Sequence, residues 1–378
     1  MIRFFTAGES HGRGVFAFLE GIPAGLKIDI DLINSSLARR QSVYGMSARM
    51  KIEKYEAVIV SGLRRGLTNG APILICIWNK DSREVEVDEA FTPRPGHSDL
   101  AGSLKYSVKD SRFISERASA RETAARVAAG AICQQFLKEF GIDFFSYVVS
   151  IGEVKAKVEI EINTNSDYKE LKEKRDSSEI FVIDKDSERK MLEVIDLARR
   201  KNDSVGGIFE IRIKNVPPGL GSHIQWDKKL DARLAKAIMS IQAVKGVEIG
   251  LGFESSKFFG SKVHDPIILS NGKITRQTNN AGGIEGGMSN GQEIVIRAVM
   301  KPISTLLSPL KSVNLETMKE EFAPVERSDI CAVPAASVVG EMAASIEIAD
   351  AFLEKFGGDS LLETKTNFTN YVKNLKIL

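Results

Sequence analysis

Two histidines sit where turns would expose them. His97 follows the stiff Pro93-Arg94-Pro95-Gly96 segment, and His11 lies in Gly8-Glu9-Ser10-His11-Gly12, with glycines on both sides. Imidazole exchanges a proton near neutral pH, so either ring is a candidate acid or base. Arginines gather in the same stretches. Arg117 and Arg121 flank Ser119, which precedes Glu122 by three residues, the order of a capping box. The residues from Ala120 onward are strong helix formers, and Gly141 is placed to end the helix. A helix start offers unpaired N–H groups and partial positive charge, so two guanidiniums beside it make an anion site. Asp329 adds one candidate carboxylate base. The chemistry this predicts is acid–base work on a phosphorylated or carboxylated molecule. Each residue also has an ordinary reading, since first-turn arginines are commonly solvated and a lone histidine after a glycine is commonly a loop residue. His223 and His264, in turn or strand-edge settings, are left to that reading.

The elements that must position these groups alternate between strand and helix patterns. Strands are expected at 2–7 and 14–22, a helix from Asp31 to Arg40 ending in Arg39-Arg40, and strands at 55–62 and 72–78, the last a continuous apolar run. The helix at 120–140 is rich in alanine with Gly130 inside it, which suits close packing at the centre of the fold. Then come a strand at 145–160, a polar stretch at 163–178, a short apolar strand at 179–183, a helix at 185–201, a strand at 207–214, a helix at 228–241 and a strand at 293–299. A small-residue helix over Ala335–Phe356 is stopped by Gly357-Gly358, and the polar tail from Asp359 is expected to fray. Gly21-Ile22-Pro23-Ala24-Gly25-Leu26 and Asn215-Val216-Pro217-Pro218-Gly219-Leu220 each follow an apolar strand and precede a helix. That echo suggests two β/α halves within one domain over 1–358, with 359–378 as a tail; P-x-G turns are common enough that chance explains it as readily. The glycine-dense 279–291 segment lacks the Gly-Lys-Ser/Thr of a P-loop.

Composition narrows the class. With 378 residues, 43% hydrophobic and 27% charged, the chain can bury a large core. A net charge of +2 argues against a general nucleic-acid binder, so strong anion affinity must come from local clustering. Cys76, Cys133 and Cys331 are scattered and lack metal-ligand spacing, which reads as reduced core residues of a cytoplasmic protein. The N-terminus reaches charge and glycine too soon for a signal peptide, and no apolar run is long enough to span a membrane.

Six segments occur together in order: GESHG at 8–12, RRQ…YG…ARM at 39–50, RPGHSD at 94–99, ERASARETAARVAAGA at 116–131, SIQAVKGVEIG at 240–250 and RSD-x-C at 327–331. With them the chain resembles the chorismate synthase family over nearly its whole length. The resemblance implies an α+β fold, a β-α-β sandwich with a helical layer between two largely antiparallel sheets, assembled as a homotetramer. It implies a lyase of the shikimate pathway that makes chorismate from 5-enolpyruvylshikimate 3-phosphate by 1,4-anti elimination, using reduced FMN without net redox change.

The resemblance also implies roles. His11 would protonate the departing phosphate and His97 would stand by the pyrimidine end of the flavin. Asp329 would act as a base near flavin N5, kept ionised by Arg327. The flavin cradle would be Arg117, Ala118, Ser119, Gln242, Ala243, Gly287, Lys301, Pro302, Ile303, Ser304, Thr305 and Arg327. Ser10, Arg40, Arg49 and Arg121 would hold the substrate; no metal is implied. Met46 stands where the family commonly has an arginine, and Gln242 falls where members vary. No GxGxxG after a strand marks a nicotinamide site, so flavin reduction by an external source, such as a separate reductase, is favoured over intrinsic use of NADPH. Competing readings are a His11-dependent phosphatase or phosphotransferase, and a non-catalytic nucleotide- or RNA-binding protein; the latter lacks an aromatic stacking motif.

Overall fold

The computed structural model describes residues 1–45, 55–80, 82, 89–157, 165–270, 272–326 and 328–375. Two antiparallel sheets form its outer layers. In the first, β1 (Arg3–Gly8), β2 (Gly14–Glu20), β3 (Ala57–Ile59) and β4 (Ile73–Trp78) lie in the order β1-β2-β4-β3. In the second, β5 (Asp143–Ile151), β6 (Val154–Lys155), β7 (Gly207–Lys214), β8 (Val244–Ile249) and β9 (Ile294–Met300) lie in the order β8-β9-β7-β5-β6. Alternation turns Val15, Ala17 and Leu19 of β2 into the core, as it does Phe209, Ile211 and Ile213 of β7.

The helices α1 (Ile30–Gln41), α2 (Asp99–Tyr106), α3 (Arg112–Ala118), α4 (Thr123–Lys138), α5 (Asn165–Asp176), α6 (Lys185–Arg200), α7 (Leu230–Met239), α8 (Val333–Phe356) and α9 (Leu361–Leu375) complete the described frame. α4 packs on β2 and β4, α8 packs on β5 and β7, and α4 and α8 pack on each other. The helical layer thus lies between the sheets. Gly130 makes the α4–α8 approach possible: a Cβ there would lie 2.5 Å from both the Met342 carbonyl oxygen and its Cβ. Alanine favours helix by about 1 kcal/mol over glycine, but the clash is partly with backbone, which cannot swing aside. Gly130→Ala is therefore expected to destabilise the protein by roughly 1–3 kcal/mol, read as a lower urea midpoint with unchanged slope. An unchanged or raised midpoint would show that α8 can shift at no cost.

Two turns share one hydrogen-bond set. Gly25 N–H donates to the Thr68 carbonyl, Leu26 N–H donates to Thr68 Oγ1 at 2.9 Å, and Thr68 Oγ1 donates to the Pro23 carbonyl at 2.6 Å. Gly219, Leu220, Ser289 and Pro217 repeat this, with Leu220 N–H on Ser289 Oγ at 2.8 Å and Ser289 Oγ on the Pro217 carbonyl at 2.7 Å.

Two expectations about elements need correction, and one stretch read only as polar is helical. Residues 179–183 are not a strand: Ile180, Phe181 and Val182 are buried, but Phe181 has φ +58°, which no extended strand tolerates, and its carbonyl accepts from Val148 N–H. The polar stretch at 163–178 contains helix α5, whose Tyr168 packs on Phe145 and donates to Glu293 at 2.6 Å. The tail does not fray from Asp359, because α9 docks Phe368 against Phe140, Phe352 and Phe356. The 361-364-368-371 spacing of Leu361, Thr364, Phe368 and Tyr371 was the helical signal for it.

Candidate active site

The stretch that carries Arg117 and Arg121 is broken at its centre. α3 ends at Ala118, Ser119 turns extended at ψ 139°, and a short 3-10 turn over Ala120–Glu122 leads into α4. Ser119 caps that turn by accepting from Arg121 N–H at 3.3 Å. The reciprocal half of the expected capping box is absent: Glu122 is buried and accepts instead from Thr6 Oγ1 at 2.5 Å and from Arg126. The break lets Ser119 Oγ reach Ser10 Oγ at 3.2 Å, bringing the Gly8–Gly12 turn onto the helix. Gly8, at φ +97°, starts that turn where a Cβ would lie 2.1 Å from the Gly14 carbonyl oxygen.

His11 is held twice by one carboxylate. Its backbone N–H donates to Glu116 Oε2 at 2.8 Å, and its Nδ1 pairs with Glu116 Oε1 at 2.8 Å. Burial would raise the pKa of Glu116, but the two bonds from His11 and nearby Arg112 hold it below the usual carboxylate value. An ionised Glu116 selects the tautomer with the proton on Nδ1 and orients Nε2 for chemistry. Beside it, two buried arginines flank Tyr55. Arg121 donates to Asn79 Oδ1 at 2.7 Å and to Tyr55 Oη at 2.6 Å. Arg40 donates to Thr123 Oγ1 at 2.9 Å and to the Ala120 carbonyl at 2.8 Å. Those partners of Arg40 are neutral oxygens, and its buried NH1 has no hydrogen-bond partner among the described residues. A buried guanidinium with an unmet donor suits an anion. Asn79 Nδ2 also ties down the turn, donating to the Gly12 carbonyl at 2.6 Å.

His97 has a similar mount. Its Nδ1 lies 2.5 Å from Oδ1 of Asp99, a carboxylate only 1% exposed. Burial would raise Asp99, yet the bonds from His97 and Arg94 outweigh it and hold the group well below the usual carboxylate range. Arg94 grips Asp99 through Nε at 2.8 Å, and Lys301 Nζ donates to the Gly96 carbonyl at 2.7 Å. Thr305 Oγ1 accepts from Arg94, and the Ile303 carbonyl accepts from Ser204 Oγ, so the 301–305 segment with Pro302 and Ser304 lies against the His97 turn. Lys301 N–H donates to the Ala243 carbonyl. Gln242 Nε2 donates weakly to Glu122 at 3.4 Å, and its Oε1 is buried with no partner among the described residues.

The structure therefore gathers Ser10, His11, Arg40, Ser119 and Arg121 in one group, and His97, Ala243 and Lys301–Thr305 in another. Arg117 turns to β1, donating to Thr6 Oγ1 at 2.7 Å and to its carbonyl. Asp329 is half-buried in the loop before α8, anchored where Ile330 N–H meets the Gly45 carbonyl. Gly287 is held instead by the 222–230 segment, its carbonyl accepting from Leu230 N–H. Arg49, Met46 and Arg327 lie outside the described residues. Cys331, buried and pushed up to about 12 by desolvation, is no nucleophile.

Sequence reasoning missed Glu116, Asp99, Arg94, Asn79 and Tyr55. Asp99 two residues after His97, and Glu116 one before Arg117, were visible carboxylates beside the candidate groups. Nothing marked Asn79 or Tyr55, which arrive from distant segments.

The sequence profile described as chorismate synthase matches residues 2–353. The chain belongs to the chorismate synthase family. The chorismate synthase of Geobacter sulfurreducens is 49% identical over 100% of both chains, and that of Aquifex aeolicus is 51% identical over 99% of this chain and 98% of its own. A crystal structure of chorismate synthase aligns with a TM-score of 0.83 and 45% identity, covering 100% of this chain and 99% of that one. Chorismate synthases are carbon–oxygen lyases, and the chain is an enzyme of that class; the phosphatase and nucleotide-binding readings have no support. The two-sheet α+β architecture is the chorismate synthase fold.

Proposed function

We propose that the chain converts 5-enolpyruvylshikimate 3-phosphate to chorismate by losing phosphate from C3 and a proton from C6, with reduced FMN bound beside the substrate. The observation that carries this is the mounting of two histidines on separate carboxylates, with Arg40 and its unmet NH1 donor beside one of them. Arg40 and Arg121, with Ser10, hold the anionic substrate; their stacking about Tyr55, with Arg121 4.6 Å and Arg40 5.8 Å from the ring centroid, fixes both planes. His11, oriented by Glu116, delivers a proton from Nε2 to the departing phosphate, which lowers the charge on the leaving group. Asp329 supplies a carboxylate for the proton lost from C6.

The residues present suit a flavin. The buried, unpaired Oε1 of Gln242 is an acceptor for a ring N–H, and His97 beside Lys301 provides donors and positive charge for an anionic ring edge. Reduced FMN, when bound, supplies electron density to the substrate as phosphate leaves. Arg117–Ser119, Ala243, Gly287, Lys301–Thr305 and Arg327 complete the proposed cradle, and Arg49 the substrate site. FMN reaches the site already reduced by an external source rather than by NADPH on this chain.

Further readings belong with this one. The shared turn hydrogen bonds support a single domain of two pseudo-repeated halves. The exposed apolar residues Phe253, Phe259, Ile267, Leu269 and Ile274 support assembly as a homotetramer. Cytoplasmic residence is supported by three free, buried cysteines; among the described residues no helix is long and apolar enough to cross a membrane.

The test is anaerobic mixing of protein and 5-enolpyruvylshikimate 3-phosphate with dithionite-reduced FMN, following phosphate release and chorismate absorbance together. Both signals are expected only with reduced flavin. Phosphate without chorismate, or turnover without flavin, would overturn the reading.

A further inference from the structure

The two histidine mounts are joined by a single side chain that neither motif contains. Glu326 places Oε1 2.6 Å from Arg112 NH1 and Oε2 2.8 Å from Arg94 NH1. Arg94 is the residue that grips Asp99, the partner of His97. Arg112 stands one turn before Glu116 on α3, the face that carries the partner of His11. Arg112 also holds Glu116 down electrostatically, so charge alternates along His11, Glu116, Arg112, Glu326, Arg94, Asp99, His97. The three segments that meet at Glu326 are the 91–97 turn, helix α3 and residues 323–326. Glu326 is only 25% exposed and Arg94 10%, so these charges are poorly screened by water.

We propose that Glu326 is a positioning residue that locks the two histidine–carboxylate pairs into one unit. The proposal rests on the functional reading above only for its effect on turnover. Without this carboxylate, Arg94 and Arg112 face each other with one fewer negative charge between them. Arg94 keeps Asp99, but the turn, the helix and the loop lose their shared tie. The net charge around both imidazoles becomes more positive, which disfavours the imidazolium of each.

Charged groups among the described residues face each ring. His11 is faced by Glu116 with Arg112 behind it; His97 is faced by Asp99 and Arg94, with Lys301 on the carbonyl of the preceding residue. His223 and His264 belong to other parts of the chain and serve as internal references.

The experiment compares full-length wild type, Glu326→Gln and Glu326→Asp. Histidines labelled with 13C at Cε1 are titrated by NMR, with resonances assigned by single histidine variants. Glu326→Gln is expected to lower the titration midpoints of both His11 and His97 and leave His223 and His264 in place. Movement of neither, or of only one, would overturn the proposal whatever the protein catalyses. In the anaerobic flavin assay, Glu326→Gln is expected to lower kcat about tenfold with a smaller change in KM, and Glu326→Asp to recover part of it. Combining Glu326→Gln with Glu116→Gln, two residues that do not touch, is expected to cost little more than the worse single change. Independent, multiplying losses would mean the two mounts are separate and sink the idea. An inactive wild type would defeat the functional reading while leaving the titration result to stand or fall by itself.

Discussion

Replacing His11 with alanine lowers kcat by about 10²-fold or more, because a positioned general acid contributes roughly that much. The expectation follows from the mount rather than from the residue type. Glu116 holds both the backbone N–H and Nδ1 of His11, so the ring has one orientation and Nε2 is the nitrogen left for proton transfer. Alanine removes the proton donor yet leaves Arg40 and Arg121 on their own partners, Thr123, Asn79 and Tyr55. Substrate binding should therefore survive, and KM should change far less than kcat. The check is steady-state kinetics with reduced FMN under anaerobic conditions, backed by substrate binding measured directly. Near-normal turnover would remove His11 from the chemistry. A large rise in KM at unchanged kcat would instead make it a binding residue. Glu116→Gln should reproduce part of the loss, since the neutral amide no longer favours the Nδ1-protonated tautomer.

The second large effect is on stability and lies away from the site. Glu341 of α8 is 2% exposed and joins four elements. It pairs with Arg39 of α1 at 2.8 Å, accepts from Gln134 of α4 at 3.2 Å and Ser146 of β5 at 2.6 Å, and faces Arg175 of α5 at 3.7 Å. Glu341→Ala takes the carboxylate from Arg39 and weakens the charge balance of Arg175, which keeps Asp176 and the Ser146 carbonyl, and is expected to destabilise the protein by about 3 kcal/mol. Chemical denaturation would show it; a loss below about 1 kcal/mol would mean that water or rearrangement satisfies Arg39. Burial would raise the carboxyl of Glu341, but Arg39 and Arg175 more than offset it and bring it from 4.5 down to about 2. A folded value below the unfolded one means the contribution is complete above about pH 4.5 and is lost as pH falls toward about 2. The shift corresponds to roughly 3 kcal/mol. Wild type should weaken through that window, and Glu341→Ala should show a flatter dependence there.

Adjacent to Arg39 in sequence, Arg40 belongs to the candidate site instead. On α1 the two side chains point a third of a turn apart, so one reaches the buried carboxylate of α8 and the other the break at Ser119. Nothing in a basic dipeptide says which guanidinium holds structure and which awaits a ligand.

Local chemistry was legible in the chain itself. Apolar runs marked the strands expected at 14–22, 72–78 and 207–214, small residues marked the two central helices, and glycines marked the His11 turn. Ordered motifs were enough to reach the family, because six short segments rarely recur together by chance. What only the tertiary structure decided were the partners. Ser119 caps a 3-10 turn rather than starting a helix outright, since Glu122 is drawn to Thr6 and Arg126. Glu116, Asn79, Tyr55 and Glu326 acquire their roles only when distant segments meet, and hydrogen bonds across more than 40 residues leave no periodic trace in sequence. Backbone preference is a property of neighbours along the chain; the orientation of an imidazole or a guanidinium is a property of whatever the fold packs against it.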